Sequence, residues 1–292
     1  MGVHQQGFNT QASKPFDYYA KLSDLHATQL RVGYTEVEEK RREFDAKDAD
    51  GKLQAYLESK PVLVVLGPPG ITDTKPFPSL PEMAAAIDKS NNGIKHPQTA
   101  KERHPLPAAN FDTSNATLFV VDHHHESLSL MTSAHDFTTT PIKVVHDYSS
   151  LTPQQFWQKM QDEKLLNTNN SGPANSFDDP YRSLARYVRK AGGFEKADAL
   201  YEEFQWADFF RDKIDAKLLD DLNNAVEKGG VWQKTEAIKQ AFALARSEQA
   251  KDLPGYIAAA PQTVTVAKAI KKQLKSKSAS KKRAAGKPWL IV

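Results

Sequence analysis

The stretch Thr117–Leu130, TLFVVDHHHESLSL, limits the folds open to this chain more than any other. Leu118, Phe119, Val120 and Val121 form a β-branched and aromatic run, Asp122 and three consecutive histidines follow, and Leu128, Met131 and Ala134 then recur at helical spacing. The pattern reads strand, polar turn, helix. At such a junction the backbone N–H groups of the first helical turn, reinforced by the helix dipole, face whatever lies beyond the strand end and favour an anion such as phosphate. A site is therefore expected at this turn before any substrate is.

A second strand is expected at Pro61–Leu66, PVLVVL, a continuous apolar run of the kind buried on both faces, stopped by a turn at Gly67–Gly70. That GPPG is not read as a phosphate loop: the Lys-Ser/Thr of a Walker motif is missing, and Pro68 and Pro69 carry no N–H. Phe16–Val32 reads as a first strand and a loop leading into a helix, whose start is marked by Thr35 and Glu38 as a capping box. Leu53–Ser59 reads as a short helix and Pro141–His146 as a further strand. Ile71–Asn115, rich in Pro, Asn, Ser and Lys with one helical patch at Glu82–Ile87, reads as a surface insertion and candidate substrate lid.

From Leu151 onward the pattern turns helical. Thr152 with Pro153 opens a helix bearing Phe156, Trp157 and Met160, and DDPYRSLARYVRKAGG gives a capped helix ended by Gly192-Gly193. The expected class is α/β of the α+β kind: a small mixed sheet over residues 1–150 with an insertion at about 71–115, a helical part over 151–260, and a basic, flexible tail over 261–292.

Composition narrows the chemistry. The absence of cysteine excludes disulfides, thiolate nucleophiles and Cys-based metal sites, and fits a reducing compartment, so a cytoplasmic location is expected. No apolar run approaches the length of a bilayer span, so no membrane association is expected. Residues 261–292 hold nine basic residues and no acidic one, which leaves −6 for residues 1–260 of a chain whose net charge is +3. The Lys268–Lys287 cluster can hold a polyanion through phosphate contacts, without reading sequence.

Six blocks in order, LHATQLRVGYTEVEEKRREF, PVLVVLGPPG, LFVVDHHHESLSL, DDPYRSLARYVRKAGGF, EFQWADFFR and DLPGY, resemble the ParB-like nuclease family of the ParB/sulfiredoxin superfamily. The resemblance covers most of Leu22–Tyr256, with the insertion and the tail outside it. It implies a sheet of ParB/sulfiredoxin type and an active or nucleotide-binding turn at Asp122–Glu126. In relatives this turn typically reads Asp-Gly-His-His-Arg and holds nucleotide phosphate; here His123 stands for the glycine and Glu126 for the arginine. The reductases of the superfamily are set aside, because they need a catalytic cysteine.

The candidate catalytic residues are His124, His125, Asp122 and Glu36. Successive residues of a helical turn are rotated by about 100°, so one or two of the three histidines can face a single point. His124 and His125 suit phosphate contact or proton transfer, while Asp122 suits orienting a histidine, capping the helix or holding a divalent cation. Glu36, which the resemblance puts near the turn, suits a general base or a plain first-turn carboxylate. His123, Glu126, Ser127 and Arg182 are candidate phosphate or nucleotide contacts, whereas Arg186 and Arg189 are read as solvated or ion-paired. No His-Glu-x-x-His pattern occurs, so the expected cofactors are Mg2+ or another divalent cation, carried with a nucleotide. An enzyme is expected, most simply a nuclease-type phosphoester hydrolase. A nucleotide-dependent small-molecule kinase or NTPase and a non-catalytic nucleic-acid-binding module stay open, with nucleotide or nucleic acid as the expected partner and no oligomeric state indicated.

Overall fold

The computed structural model describes residues 15–71, 77–90, 105–133, 137–168, 176–197, 201–227 and 232–258. The basic tail, and every expectation attached to it, lies outside these residues. The five strands are β1 Tyr18–Lys21, β2 Leu25–Ala27, β3 Val62–Gly67, β4 Thr117–Asp122 and β5 Thr139–Asp147. They form one mixed sheet in the order β1-β5-β3-β4-β2. β4 runs antiparallel to β3 and parallel to β2, while β5 runs parallel to β3 and antiparallel to β1.

β1 and β2 thus sit at opposite edges although only Leu22–Asp24, a single 3-10 turn, separates them in sequence. A connection this short spans at most about 14 Å. Four strand spacings across a flat sheet would measure about 19 Å. The sheet must therefore curl until its edges approach one another. Phe16–Val32, which reads in sequence as one strand and a loop leading into a helix, instead holds two edge strands, because their partners are more than ninety residues away in the chain.

Alternation along β4 fills both faces of the sheet. Leu118 and Val120 join the core under α1 (Tyr34–Ala49), α2 (Leu53–Ser59), α3 (Leu80–Ser90) and α4 (His124–Met131). Phe119 and Val121 point the other way, against Phe156 and Met160 of α5 (Pro153–Asp162). A separate apolar core joins α6 (Pro180–Ala191), α7 (Glu202–Arg211), α8 (Lys217–Glu227) and α9 (Glu236–Ala245), with Trp206, Tyr187 and Phe210 fully buried in it. The class is α+β, with a five-stranded curled sheet and nine α-helices among the described residues. No described helix is long and apolar enough to cross a membrane.

Local signals set several helix ends. Thr152 and Gln155 complete a reciprocal capping box on α5. Asp179 accepts from the amides of Tyr181 and Arg182 at the start of α6, and Gly192 ends it in the left-handed region at φ 87°. The expected box at Thr35 and Glu38 does not form. α1 starts earlier, with Gly33 as N-cap, and a Cβ on Gly33 would overlap the Ser183 hydroxyl, so packing against α6 fixes that end. Thr35 donates instead to Asn223 of α8 at 2.6 Å, and Glu38 binds Arg41 and Arg42. α3, expected as part of a surface insertion, buries Leu80, Met83 and Ile87 at helical spacing in the sheet core.

Candidate functional site

The β4–α4 turn opens into a cleft of about 920 Å³ between α1, α6 and the start of α7. His123, between strand and helix, takes a left-handed backbone, φ 70° and ψ 29°. This conformation costs a non-glycine residue about 1–2 kcal/mol, and such strain in a native fold concentrates at functional sites. The Asp122 carboxylate offsets part of it by accepting from the His123 amide at 2.7 Å. Asp122 Oδ2 lies 3.8 Å from His123 Nε2, and both side chains remain partly open to solvent.

The next two histidines turn inward. The Thr28 amide donates to His124 Nε2 at 3.2 Å, and the Gly33 amide donates to His125 Nε2 at 3.2 Å. Each Nε2 is an acceptor, so each neutral ring carries its proton on Nδ1 and acts as an N–H donor there. Burial lowers the pKa of both to about 3, helped at His124 by the neighbouring histidines and opposed at His125 by the Glu36 carboxylate. Neutral donors are what this geometry supplies. Thr28 in turn donates its hydroxyl to the Val120 carbonyl at 2.5 Å, and the Tyr201 hydroxyl lies 3.0 Å from it while donating to Leu165 O at 2.9 Å.

Opposite the turn stands a face of α6 carrying Arg182, Arg186 and Arg189, spaced four and three residues apart. Glu36 on α1 receives Arg186 Nη1 at 2.5 Å and Arg182 Nη1 at 3.2 Å, with His125 Nε2 at 3.4 Å. Burial would raise the Glu36 carboxyl, but the charges of Arg186, Arg182 and Lys40 outweigh it and hold it well below the usual carboxylate range. From α7, Glu203 binds both Arg182 and Arg189, the latter at 2.6 Å, and Glu202 lies 3.3 Å from Arg189. Lys40 pairs with Glu126, whose carboxyl is lowered to about 2 as the ammonium overcomes the effect of burial. The rim carries the exposed Lys60, Lys143 and Lys196.

The family model described as "Putative ParB-like nuclease" matches residues 18–75 and 82–212. The chain belongs to the ParB-like nuclease family. Membership supports a nuclease-like or nucleic-acid-related role at the level of the family. Among solved structures, the crystal structure of protein Atu1540 from Agrobacterium tumefaciens is similar over 83% of this chain and 98% of that one, with 25% identity and a TM-score of 0.50. A search of curated proteins found no match.

In this ParB-like chain the cleft gathers Asp122, His123, His124, His125, Glu126 and Glu36, together with Arg182. Ser127 stays outside the lining: it is fully buried, and its hydroxyl approaches the His123 carbonyl at 3.3 Å to close the turn. The glycine position of the turn does take positive φ, now borne by His123. At the arginine position Glu126 is matched by Lys40, so the cation comes from α1. Lys40, Tyr201, Glu202 and Glu203 also line the cleft without standing out in the sequence, and Arg186 and Arg189, expected to be solvated or ion-paired, are ion-paired and face the cleft. The available signal was the i, i+4, i+7 spacing of the three arginines on one helix.

Proposed function

We propose that this ParB-like chain is a nuclease-type phosphoester hydrolase that acts at the Asp122–His125 turn on a nucleotide or nucleic-acid phosphate held in the cleft. The observation that carries the reading is the convergence of three α6 arginines and Lys40 on one cleft with the histidine turn. Guanidinium groups suit bidentate phosphate recognition, and neutral imidazole N–H groups add donors without adding charge. His124 and His125, with Nε2 engaged by backbone amides, take the role of binding and orienting the phosphate rather than removing a proton. His123, with Asp122 beside it at the mouth, is the residue to draw the proton from an attacking water.

A divalent cation fits here only as a companion of the substrate. Among the described residues no group of three His, Cys, Asp or Glu is arranged to hold a metal ion. Asp122 alone suits Mg2+, which keeps most of its waters and needs one or two carboxylates besides substrate phosphates; bound there it would neutralise charge on the phosphoryl oxygens. The basic tail is assigned to sequence-independent polyanion contact.

The test is hydrolysis of single-stranded DNA, RNA and nucleoside triphosphates by the intact chain, with and without Mg2+. Cleavage that falls at least about a hundredfold in His123→Ala and Asp122→Asn supports the assignment. Phosphoryl transfer to a small hydroxyl compound would move it to the kinase class, and activity untouched by both changes would remove the turn from the chemistry.

A further inference from the structure

The arginine wall is already occupied by the protein's own carboxylates, and one of them has the geometry of a stand-in for a ligand. Glu203 pairs through Oε2 with Arg182 and through Oε1 with Arg189, the latter an ion pair at 2.6 Å in which Oε1 accepts no hydrogen bond, so it bridges two guanidinium groups seven residues apart on α6. Donor capacity is nevertheless left over. Arg182 Nε and Arg186 Nε are buried without a hydrogen-bond partner, and Arg182 as a whole is only 8% exposed. A buried N–H left unpaired is costly, so two of them in the wall of one cleft mark acceptors still to arrive.

The two carboxylates that bridge this wall are both buried, Glu203 at 7% exposure, but they stand on different elements. Glu36 sits in the long α1, is 3% exposed, and is gripped by two arginines with His125 beside it. Glu203 is the second residue of α7, a helix that begins after a left-handed Tyr201 with no side-chain cap. Resting on the phosphate reading above, we infer that Glu203 is the resident anion of the slot between Arg182 and Arg189, and that the ligand displacing it is a dianionic terminal phosphate or pyrophosphoryl group.

Charge selects the class. An internal phosphodiester brings one negative charge and two free oxygens, so exchanging it for a carboxylate gains nothing electrostatically. A terminal phosphate near pH 7 carries about −1.5 to −2 and three acceptor oxygens. It can satisfy both guanidinium groups and has an acceptor oxygen left over for a further donor. The slot is thereby specific for the end of a strand or the phosphate chain of a nucleotide, with Glu203 excluding monoanions.

Calorimetric titration of the intact chain with pyrophosphate and with dimethyl phosphate tests this, using the wild type, Glu203→Gln and Glu203→Asp. The expected result is pyrophosphate binding at least about tenfold tighter than dimethyl phosphate in the wild type, and a further gain of about tenfold for pyrophosphate in Glu203→Gln with dimethyl phosphate now binding measurably. Glu203→Asp, which shortens the bridge but keeps the charge, should fall between the two and decides the matter if the glutamine variant does not fold. Pyrophosphate affinity unchanged or weakened in these variants overturns the role of Glu203 while leaving the phosphate site standing. Binding of neither probe to any form overturns both.

Discussion

The Gly33 amide donates to Nε2 of His125 across 92 residues of sequence, joining the start of α1 to the first turn of α4. That contact holds only while His125 is neutral, and the same is true of His124 on the Thr28 amide. Both imidazoles are buried, and both have folded-state pKa values near 3 against an ordinary 6.5. The unfolded chain therefore takes up protons that the folded chain refuses, so stability is retained above pH 6.5 and lost as pH falls from there toward 3.

Between pH 7 and 5.5 the two histidines together should remove up to about 2.5 kcal/mol of stability. Urea denaturation at the two pH values measures it, and replacing both histidines by glutamine should flatten the dependence. Equal or greater stability at pH 5.5 would contradict the buried, neutral assignment.

Asp178 works in the opposite direction. It accepts from the Tyr34 amide at 2.8 Å, and burial, with the Asp179 charge adding to it, raises its carboxyl from 3.8 to about 6 despite the Tyr34 hydrogen bond. Its charge is a burden that grows as pH rises through that range, so Asp178→Asn, which keeps the acceptor, should stabilise the protein by about 1–2 kcal/mol at pH 8. The gain should vanish below pH 4. Guanidinium melts at pH 8 and 4 read the difference, and a less stable variant at pH 8 would show that the ionised carboxylate is needed.

Lys40 and Glu126 form an ion pair with both side chains largely buried. Lys40→Met or Glu126→Leu alone should cost about 3–5 kcal/mol by stranding the partner's charge. The double change Lys40→Met/Glu126→Leu should cost far less than the sum of the single changes. Additive losses in the double-mutant cycle would mean that the pair contributes no coupling.

What the sequence disclosed and what it hid divide along contact range. PVLVVL and TLFVV declared β3 and β4 because strands buried on both faces are apolar throughout, and Thr152, Asp179 and Gly192 marked helix ends through bonds only a few residues long. The Asp122–Glu126 turn was legible for the same reason. The curl of the sheet was not, since it follows from β1 and β2 finding partners at opposite edges. Nor was the state of the arginines: Glu36 lies 146 residues from Arg182 and 150 from Arg186, and no local pattern announces such a pair. Thr35 and Glu38 spelled a capping box that lost to Gly33 packing against Ser183.

Every role proposed above requires that the cleft beside the histidine turn bind phosphate. Thermal unfolding with pyrophosphate and with nucleoside triphosphates, each with and without Mg2+, tests it most directly. At a hundredfold excess over its dissociation constant a ligand should stabilise the folded chain by about 2.7 kcal/mol, and Arg186→Met and His124→Ala should each diminish that protection while the variants still fold. A melting temperature that no phosphate ligand moves, in the wild type or in either variant, would contradict the account.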